Sequence, residues 1–567
     1  MKIKSLLIGM LACTALVGCT SEDAPEVNNG KDNEKGNAYV TVKLSMSGNA
    51  ASRTFADGKF KEADEAEYAV TKATFYFLDE NGQGCADKYT LTNVDNLKNW
   101  TDGGENANVD WTSGAVVVIK NPITTPKSMV AILNVDDPFS GINRPSLEQI
   151  QAKTVELAAA EKTSSFIMSN SVYVNKDGKV VVGAEIKTEN IHEGTDVNEG
   201  DKDSDNKEAV VIPVERVVAK VGMSVDANYE NDPAEDNTTV KTAGQYDINV
   251  SVDGWWLDNT SPKAYLVKNL DATYSNSPFN ATTTWWTDAA NTRSYWANMP
   301  AGMTYNHAAY ANALATTATD YALENVDQAA PTKYVAKATL KLGETATTFV
   351  RWLNTIYTEN DFFQYIADAY SNYRILNGAD ETYDLNGTKN KGATANLGAT
   401  AFGWNYKGKT TNDTDAGLAN LEDYEGIVTI TLPTVEGKNL SFVKVETNAN
   451  GEEAYTPVDE ATIQADIRAR IDKVLLWLEG RTYYYTDIIH NQDAADLLEG
   501  GVLKGIIRNH LYNLNITGVQ GMGTPVPNPD TPITPETPED DEYSHISAQI
   551  QILRYKVGPT QNVNLGQ

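Results

Sequence analysis

From residue 73 onward the sequence breaks into short apolar runs bounded by turn residues, and this limits the possible folds more than any other feature. "ATFYFLDENG" (73–82), "GAVVVIKNP" (114–122), "SMVAILNVDD" (128–137), "SFIMSNSVYV" (165–174) and "GKVVVGAEI" (178–186) are rich in β-branched or aromatic residues. "VIPVERVVAKVGMSV" (211–225), "YDINVSVDGWW" (246–256) and "KAYLVKNL" (263–270) continue the series. Runs of this kind predict a mostly β chain built of antiparallel β-sandwiches rather than alternating βα units. At 567 residues the chain is too long for one ordinary core, so at least two domains are expected.

Two segments read as helices. In "YTENDFFQYIADAYSNYRIL" Thr358 precedes Asp361 by three positions, close to a capping box. "DEATIQADIRARIDKVLLWLEG" sets Ile463, Ile467, Ile471, Leu475 and Leu478 on one stripe, which predicts a helix running to Gly480.

The two ends of the chain carry a different pattern. Lys2 and Lys4, then an apolar stretch from Leu6 to Leu16 too short to span a bilayer, lead to "LVGC" at Cys19. That tetrapeptide resembles a bacterial lipobox, whose cysteine is acylated and becomes the new N-terminus. With Cys13 in the leader and Cys19 lipidated, only Cys85 remains, so no internal disulfide is available. The polar stretch 20–37 then reads as a tether. After it, "AYVTVKLSM" alternates, with Val40, Val42, Leu44 and Met46 on one face and Tyr39, Thr41, Lys43 and Ser45 on the other, as in a half-buried strand. Arg53, the first arginine of the chain, follows in a small, polar context. At the far end, six prolines in residues 524–538 exclude regular helix or sheet. As polyproline the stretch from Thr524 to Tyr543 would reach about 60 Å. Beyond it "SHISAQIQILRYKVG" alternates again, with Ile546, Ala548, Ile550 and Ile552 on one face.

Most chemistry suggested by short motifs fails on context. "GWNYKGKT" (403–410) satisfies the phosphate-loop expression G-x-x-x-x-G-K-[ST], but lacks the buried strand before it and the helix after it. "DKDSDN" (201–206) starts like a calcium loop, yet Asn206 stands where glycine is required and Ile212 where glutamate is. His192, His307, His490, His510 and His545 show no metal-ligand spacing. No catalytic residue, cofactor or metal site is therefore expected. A net charge of −31 argues against nucleic acid as a partner and suits a soluble surface protein. Trp255, Trp256, Trp285, Trp286 and Trp296 are candidates for a sugar-stacking surface, although aromatics in β proteins are more often core.

Taken together the chain resembles the fimbrillins of Bacteroidales, the type V pilins, and most closely the major subunit of the minor (short) fimbria. The matching text is "SFIMSNSVYV", "VIPVERVVAKV", "INVSVDGWWLDNTSPKAYLVKNL", "RTYYYTDIIHN", "KGIIRNHLYNLNITGVQGMGTPVPNPDTP" and the closing strand, of which "GIIRNHLYNLNITGVQGMGTP" is the most specific. The resemblance implies two transthyretin-like β-sandwich domains with a few helices and an extended C-terminal strand. It divides the chain into a lipoprotein signal peptide (1–19), a propeptide with tether and removable strand (20–53), an N-terminal sandwich (54–212), a C-terminal sandwich with helices (213–523), a proline-rich spacer (524–543) and a donor strand (544–567). By the same resemblance an arginine-specific surface protease cuts between Arg53 and Thr54. The strand of Val40, Val42, Leu44 and Met46 then leaves a groove, and Ile546, Ala548, Ile550 and Ile552 of another copy fill it. The implied partners are further copies in a head-to-tail filament, accessory, tip and anchor subunits, the protease, and host or bacterial surface receptors. The implied location is the outer membrane for the precursor and an extracellular fimbrium for the product, supporting adhesion and biofilm formation. The alternatives are an accessory or tip adhesin of the same fimbrium, or a surface glycan-binding lipoprotein.

Overall fold

The computed structural model describes residues 38–45, 67, 69–92, 112–157, 165–174, 179–193, 209–232, 239–240, 248–270, 297–353, 355–378, 394–406, 425–451, 453–490, 504–535 and 544–554. They form a mostly β molecule of several sheets with a few short helices.

The first sheet begins with β1 (Ala38–Ser45) and includes β2 (Ala73–Leu78), β3 (Thr112–Ile119), β4 (Ser128–Leu133), β5 (Met168–Asn170), β6 (Ile191–Glu193) and β7 (Val210–Arg216). Going across it, β3 lies beside β1, β1 beside β6 and β7, β7 beside β5, then β4 and β2 follow. One face of this curled sheet encloses a core that includes Val40, Val42, Leu44, Phe75, Val117 and Ile212. Alternation does the sorting in β2. Phe75 and Phe77 enter that core, while Tyr76 and Leu78 point to a second one with Val130, Val217, Leu266 and Ile507. The second core joins the first sheet to the rest of the chain.

Downstream lie β8 (Val218–Asp232), β9 (Ile248–Asp258), β10 (Thr319–Leu323) and β11 (Lys333–Leu342). Then come β12 (Phe349–Trp352), α1 (Glu359–Ala369), β13 (Phe402–Tyr406), β14 (Glu425–Ile430), α2 (Glu460–Arg470) and β15 (Val474–Trp477). The chain ends with β16 (Arg481–Asp487), β17 (His510–Gly521), β18 (Thr524–Pro525) and β19 (Ser544–Arg554). The sheet β10–β8–β17–β19 packs its apolar residues with those of β9–β11–β16 around Trp255, Tyr334, Tyr512 and Leu514. Within the expected single domain 213–523 a separate core gathers under α1 and α2, from Val350, Phe362, Ile366, Trp404, Ile463 and Ile467. The expected division at 212 falls inside β7, which continues to Arg216.

The mostly β reading holds, and several finer expectations need correction. Three pairs among the antiparallel ones are parallel: β1 with β7, β8 with β17, and Thr239–Val240 with Thr355–Ile356. In the first two cases the intervening chain is a whole sandwich, long enough for the crossover a parallel pair requires. Thr358 caps α1 as expected, accepting from Asp361 N–H. However, α2 stops at Arg470 rather than Gly480. Ile463, Ile467 and Ile471 are buried as its stripe requires, but "VLLW" is β15, paired with β12 and β14. Those four apolar residues fit both periods, and the edges offered by β12 and β14 decide for a strand. Gly403 lies in β13, so the phosphate-loop lookalike begins as a strand. Trp255 and Trp256 of β9 are buried, one in the central core and one beside Tyr310 and Tyr483. Neither offers a ring to a sugar; Trp285, Trp286 and Trp296 lie outside the described residues.

Gly480 ends the short turn between β15 and β16 at φ +71°, where a Cβ would stand 2.1 Å from the Leu340 carbonyl oxygen. Gly480→Ala is therefore expected to destabilise the C-terminal sheets by at least about 1 kcal/mol, through both strain and collision. A lowered midpoint in thermal unfolding monitored by tryptophan fluorescence checks this.

Candidate functional site

The eight residues of β1 occupy a slot inside the first sheet. On one side every residue from Ala38 to Ser45 is in antiparallel register with β3, from Ile119 back to Thr112. On the other side Ala38–Val40 pair with Glu193–Ile191 of β6, and Val42–Ser45 run parallel to Val210–Pro213 of β7. Val40, Val42 and Leu44 are 0% exposed. The opposite face is not the solvent face that alternation implies: Tyr39 is 5% and Thr41 4% exposed, and Tyr39 stacks on His192 with ring centroids 5.2 Å apart. An interior strand covered on both sides loses its polar face to neighbouring side chains, which alternation alone does not reveal. Met46, Arg53, Thr54 and Cys19 lie outside the described residues.

The C-terminal strand β19 is at the other end of the molecule's sheet order. It pairs antiparallel with β17, in a register that sets Ile546, Ala548, Ile550 and Ile552 opposite Val519, Ile516, Leu514 and Tyr512. All four of those partners are core residues. Among the described residues β17 is the one strand that pairs with it, so β19 closes an edge. The slot around β1 and the edge beside β17 thus each hold an alternating strand from a chain end.

Between them sits a buried charged junction that reading the sequence missed. Lys268 Nζ contacts Glu215 Oε2 at 3.1 Å, both fully buried, and Arg508 Nη2 contacts Glu324 Oε1. Arg216 donates through its backbone N–H and Nη1 to Asn509 Oδ1 at 3.3 and 3.2 Å, and through Nε to the Glu67 carbonyl. Glu67 in turn accepts from Lys220 at 2.8 Å and from Tyr321 at 2.6 Å. Burial pushes the Glu67 carboxyl up, but Lys220, Tyr321 and Arg216 together outweigh it and hold the group below its ordinary value. Glu215 is held above its ordinary value by burial, which Lys268 and Arg508 only partly offset. The available signal was charge inside apolar runs: Glu215, Arg216 and Lys220 in "VIPVERVVAKV", Arg508 in "GIIRNHL".

A cavity of about 630 Å³ opens beside Tyr305, His307, Gln328, Lys333, Lys504 and Pro535. Its polar groups already have partners: Tyr305 donates to Asp327 at 2.7 Å, His307 Nδ1 meets Asp258 at 2.9 Å, and Lys504 pairs with Asp487. Among the described residues no group of three His, Cys, Asp or Glu is placed to hold a metal ion.

Two outcomes follow. Leu44→Ala should cost the first sheet about 2–5 kcal/mol, because a side chain without exposure leaves a cavity. Urea unfolding of the uncleaved protein, followed by hydrogen exchange at the amides of β1 and β3, measures it. Because Glu67's folded value is depressed, its contribution is present above the unfolded value and is lost as pH falls through the folded one. Glu67→Gln should therefore lower stability near neutral pH, and the gap to the wild type should close on acidification below the ordinary 4.5. Thermal midpoints across that range provide the comparison.

Residues 476–558, which span β16 to β19, match the family model described as "Major fimbrial subunit protein type IV, Fimbrillin, C-terminal". No curated protein matches the chain. Among solved structures the chain is similar to one described as a candidate cell adhesion protein from Parabacteroides distasonis, at 12% identity and TM-score 0.38, over 93% of this chain and 99% of that one. It is also similar to a second candidate cell adhesion protein, from Bacteroides eggerthii, at 11% identity and TM-score 0.33, over 94% and 100%. A fimbrial anchor protein from Porphyromonas gingivalis shares 10% identity at TM-score 0.23, over 53% of this chain and 77% of its own. The match includes the whole of "GIIRNHLYNLNITGVQGMGTP" (505–525) and both β17 and β19. Through this C-terminal region, residues 476–558, the chain is similar to the fimbrillins.

Proposed function

We propose that this protein is a structural, polymerising subunit of a cell-surface fimbrium. The chain is exported as a lipoprotein acylated at Cys19, and a surface protease specific for arginine cuts between Arg53 and Thr54. The cut frees β1, and the slot it leaves accepts the Ser544–Arg554 strand of another copy. Each subunit accepts at one end and donates at the other, a head-to-tail contact that repeats into a filament.

The observation that carries this reading is the placement of β1. A strand with partners on both edges and burial on both faces is normally secured to its fold by the chain, yet β1 is followed within eight residues by Arg53. Once it is gone, three side chains' worth of burial, about 5–9 kcal/mol gross, is lost together with the backbone pairing of two edges. That deficit favours any strand of the right pattern, and main-chain pairing supplies the affinity. The eleven residues of β19 exceed the eight that the slot holds. Anchor, accessory and tip subunits, and receptors for adhesion and biofilm formation, would be further partners of the same fimbrium. An accessory or tip position is less well supported, because such a subunit does not need a patterned C-terminal strand. With Trp255 and Trp256 in the core, the glycan-binding alternative loses its described residues.

Purified protein should remain monomeric until treated with an arginine-specific protease and then form filaments visible by negative-stain microscopy. Arg53→Ala should stay monomeric under the same treatment, and deletion of residues 544–567 should abolish filaments after cleavage. Filaments from the Arg53→Ala protein, or monomers of the wild type in every condition, would refute the proposal.

A further inference from the structure

Proline-rich sequence between two strands reads as a free tether, but from Gly523 to Pro535 this one is fastened to the body of its own subunit. Trp477 donates Nε1–H to the Gly523 carbonyl at 3.1 Å, and the Thr482 hydroxyl reaches the Met522 and Thr524 carbonyls at 2.6 and 3.1 Å. Arg481 spans the next residues, with Nε 3.1 Å from Val526 O and Nη2 3.1 Å from Pro527 O. Farther on, Ala311 N–H donates to Pro529 O at 2.8 Å, Ile533 N–H to Ala308 O at 3.0 Å, and Lys333 Nζ to Pro535 O at 2.5 Å. Prolines lack an N–H but keep the carbonyl, so a proline-rich segment is best held by donors aimed at it, as here. Val526 adds a small core of its own with Trp256, Tyr310, Val335 and Tyr483. The entry is equally specific: Gly523 has φ +69°, and a Cβ there would stand 2.3 Å from Thr482 Oγ1. By contrast β19 lies at a sheet edge with β17 as its one paired neighbour among the described residues.

We infer that the strap Gly523–Pro535 stays fastened to its own subunit when the C-terminal strand exchanges, so that the strand swings from a pivot beyond Pro535. This rests on the reading of β19 as the donor. It changes the geometry of assembly. Only the residues between Pro535 and Ser544 are left to bridge subunits, a reach of about 30 Å fully extended, half of what a free spacer from Thr524 would give. The accepting slot of the next copy must therefore lie close to Pro535. The contact between subunits then includes the face that bears Pro535, and the filament is a stack of abutting subunits rather than beads on a string.

Ala309 and Pro532 form an antiparallel bridge between body and strap, a spacing that suits a disulfide. In Ala309→Cys/Pro532→Cys protein, cleaved after Arg53, filaments are expected in equal yield with the disulfide closed or reduced. A second lock, Asn515→Cys/Gln549→Cys, ties β19 to β17 at paired positions, and it should block filaments until reduced. If the first lock blocks assembly and reduction restores it while the second behaves as expected, the strap inference alone is overturned. Filaments with the second lock closed would overturn the donor reading and the strap's role with it. In unmodified protein, hydrogen exchange at the Val526 and Ile533 amides, which donate to Arg481 O and Ala308 O, should be as slow in filaments as in monomers. Faster exchange in filaments would contradict a fastened strap whatever the locks do.

Discussion

The N-terminal sheet depends on β1. Among the described residues β3 has no other ladder partner, and neither has β6, so the eight residues Ala38–Ser45 hold two strands in place besides completing the core. Main-chain pairing and side-chain burial act together here. The β3 amides and carbonyls that face β1, those of alternate residues, are satisfied along the whole length of the strand, and Val40, Val42 and Leu44 share one core with Val117 and Ile212. A sheet that has lost such a strand keeps unpaired backbone groups lining an apolar slot, a state that favours refilling.

The charged junction gives that slot a rigid frame. Ion pairs with no exposure, such as Lys268–Glu215, are poor sources of net stability, since desolvation offsets much of their attraction. What they supply is directionality: Arg216 fits only where Asn509 and Glu67 accept from it, and Arg508 only where Glu324 and the Leu266 carbonyl do. These bonds tie the strand bordering the slot, β7, to the turn that starts β17, the strand bearing β19. They also pin Glu67, fourteen residues beyond Arg53, so the chain downstream of the proposed cut stays anchored however its new end moves.

Period-2 alternation made the strands legible, and the N-cap at Thr358 made α1 legible, because both signals are local. Tertiary partners decided what remained hidden. "VLLW" fits helix or strand until β12 and β14 are known to flank it. The polar face of β1 reads as exposed until His192 is known to cover Tyr39. The prolines after Thr524 read as a spacer because their anchors, Arg481, Ala311, Ala308 and Lys333, are far away in sequence. The slot itself was legible only as two matching alternating strands, and the junction only as charges misplaced in apolar runs.

The most direct test is hydrogen exchange along β3, residues Thr112–Ile119, in cleaved protein lacking residues 544–567. Protection of the β3 amides that face β1 should be lost when cleavage after Arg53 removes that strand, and a peptide of residues 544–554 should restore it. Protection unchanged by cleavage, or lost and not restored by the peptide, would contradict the account.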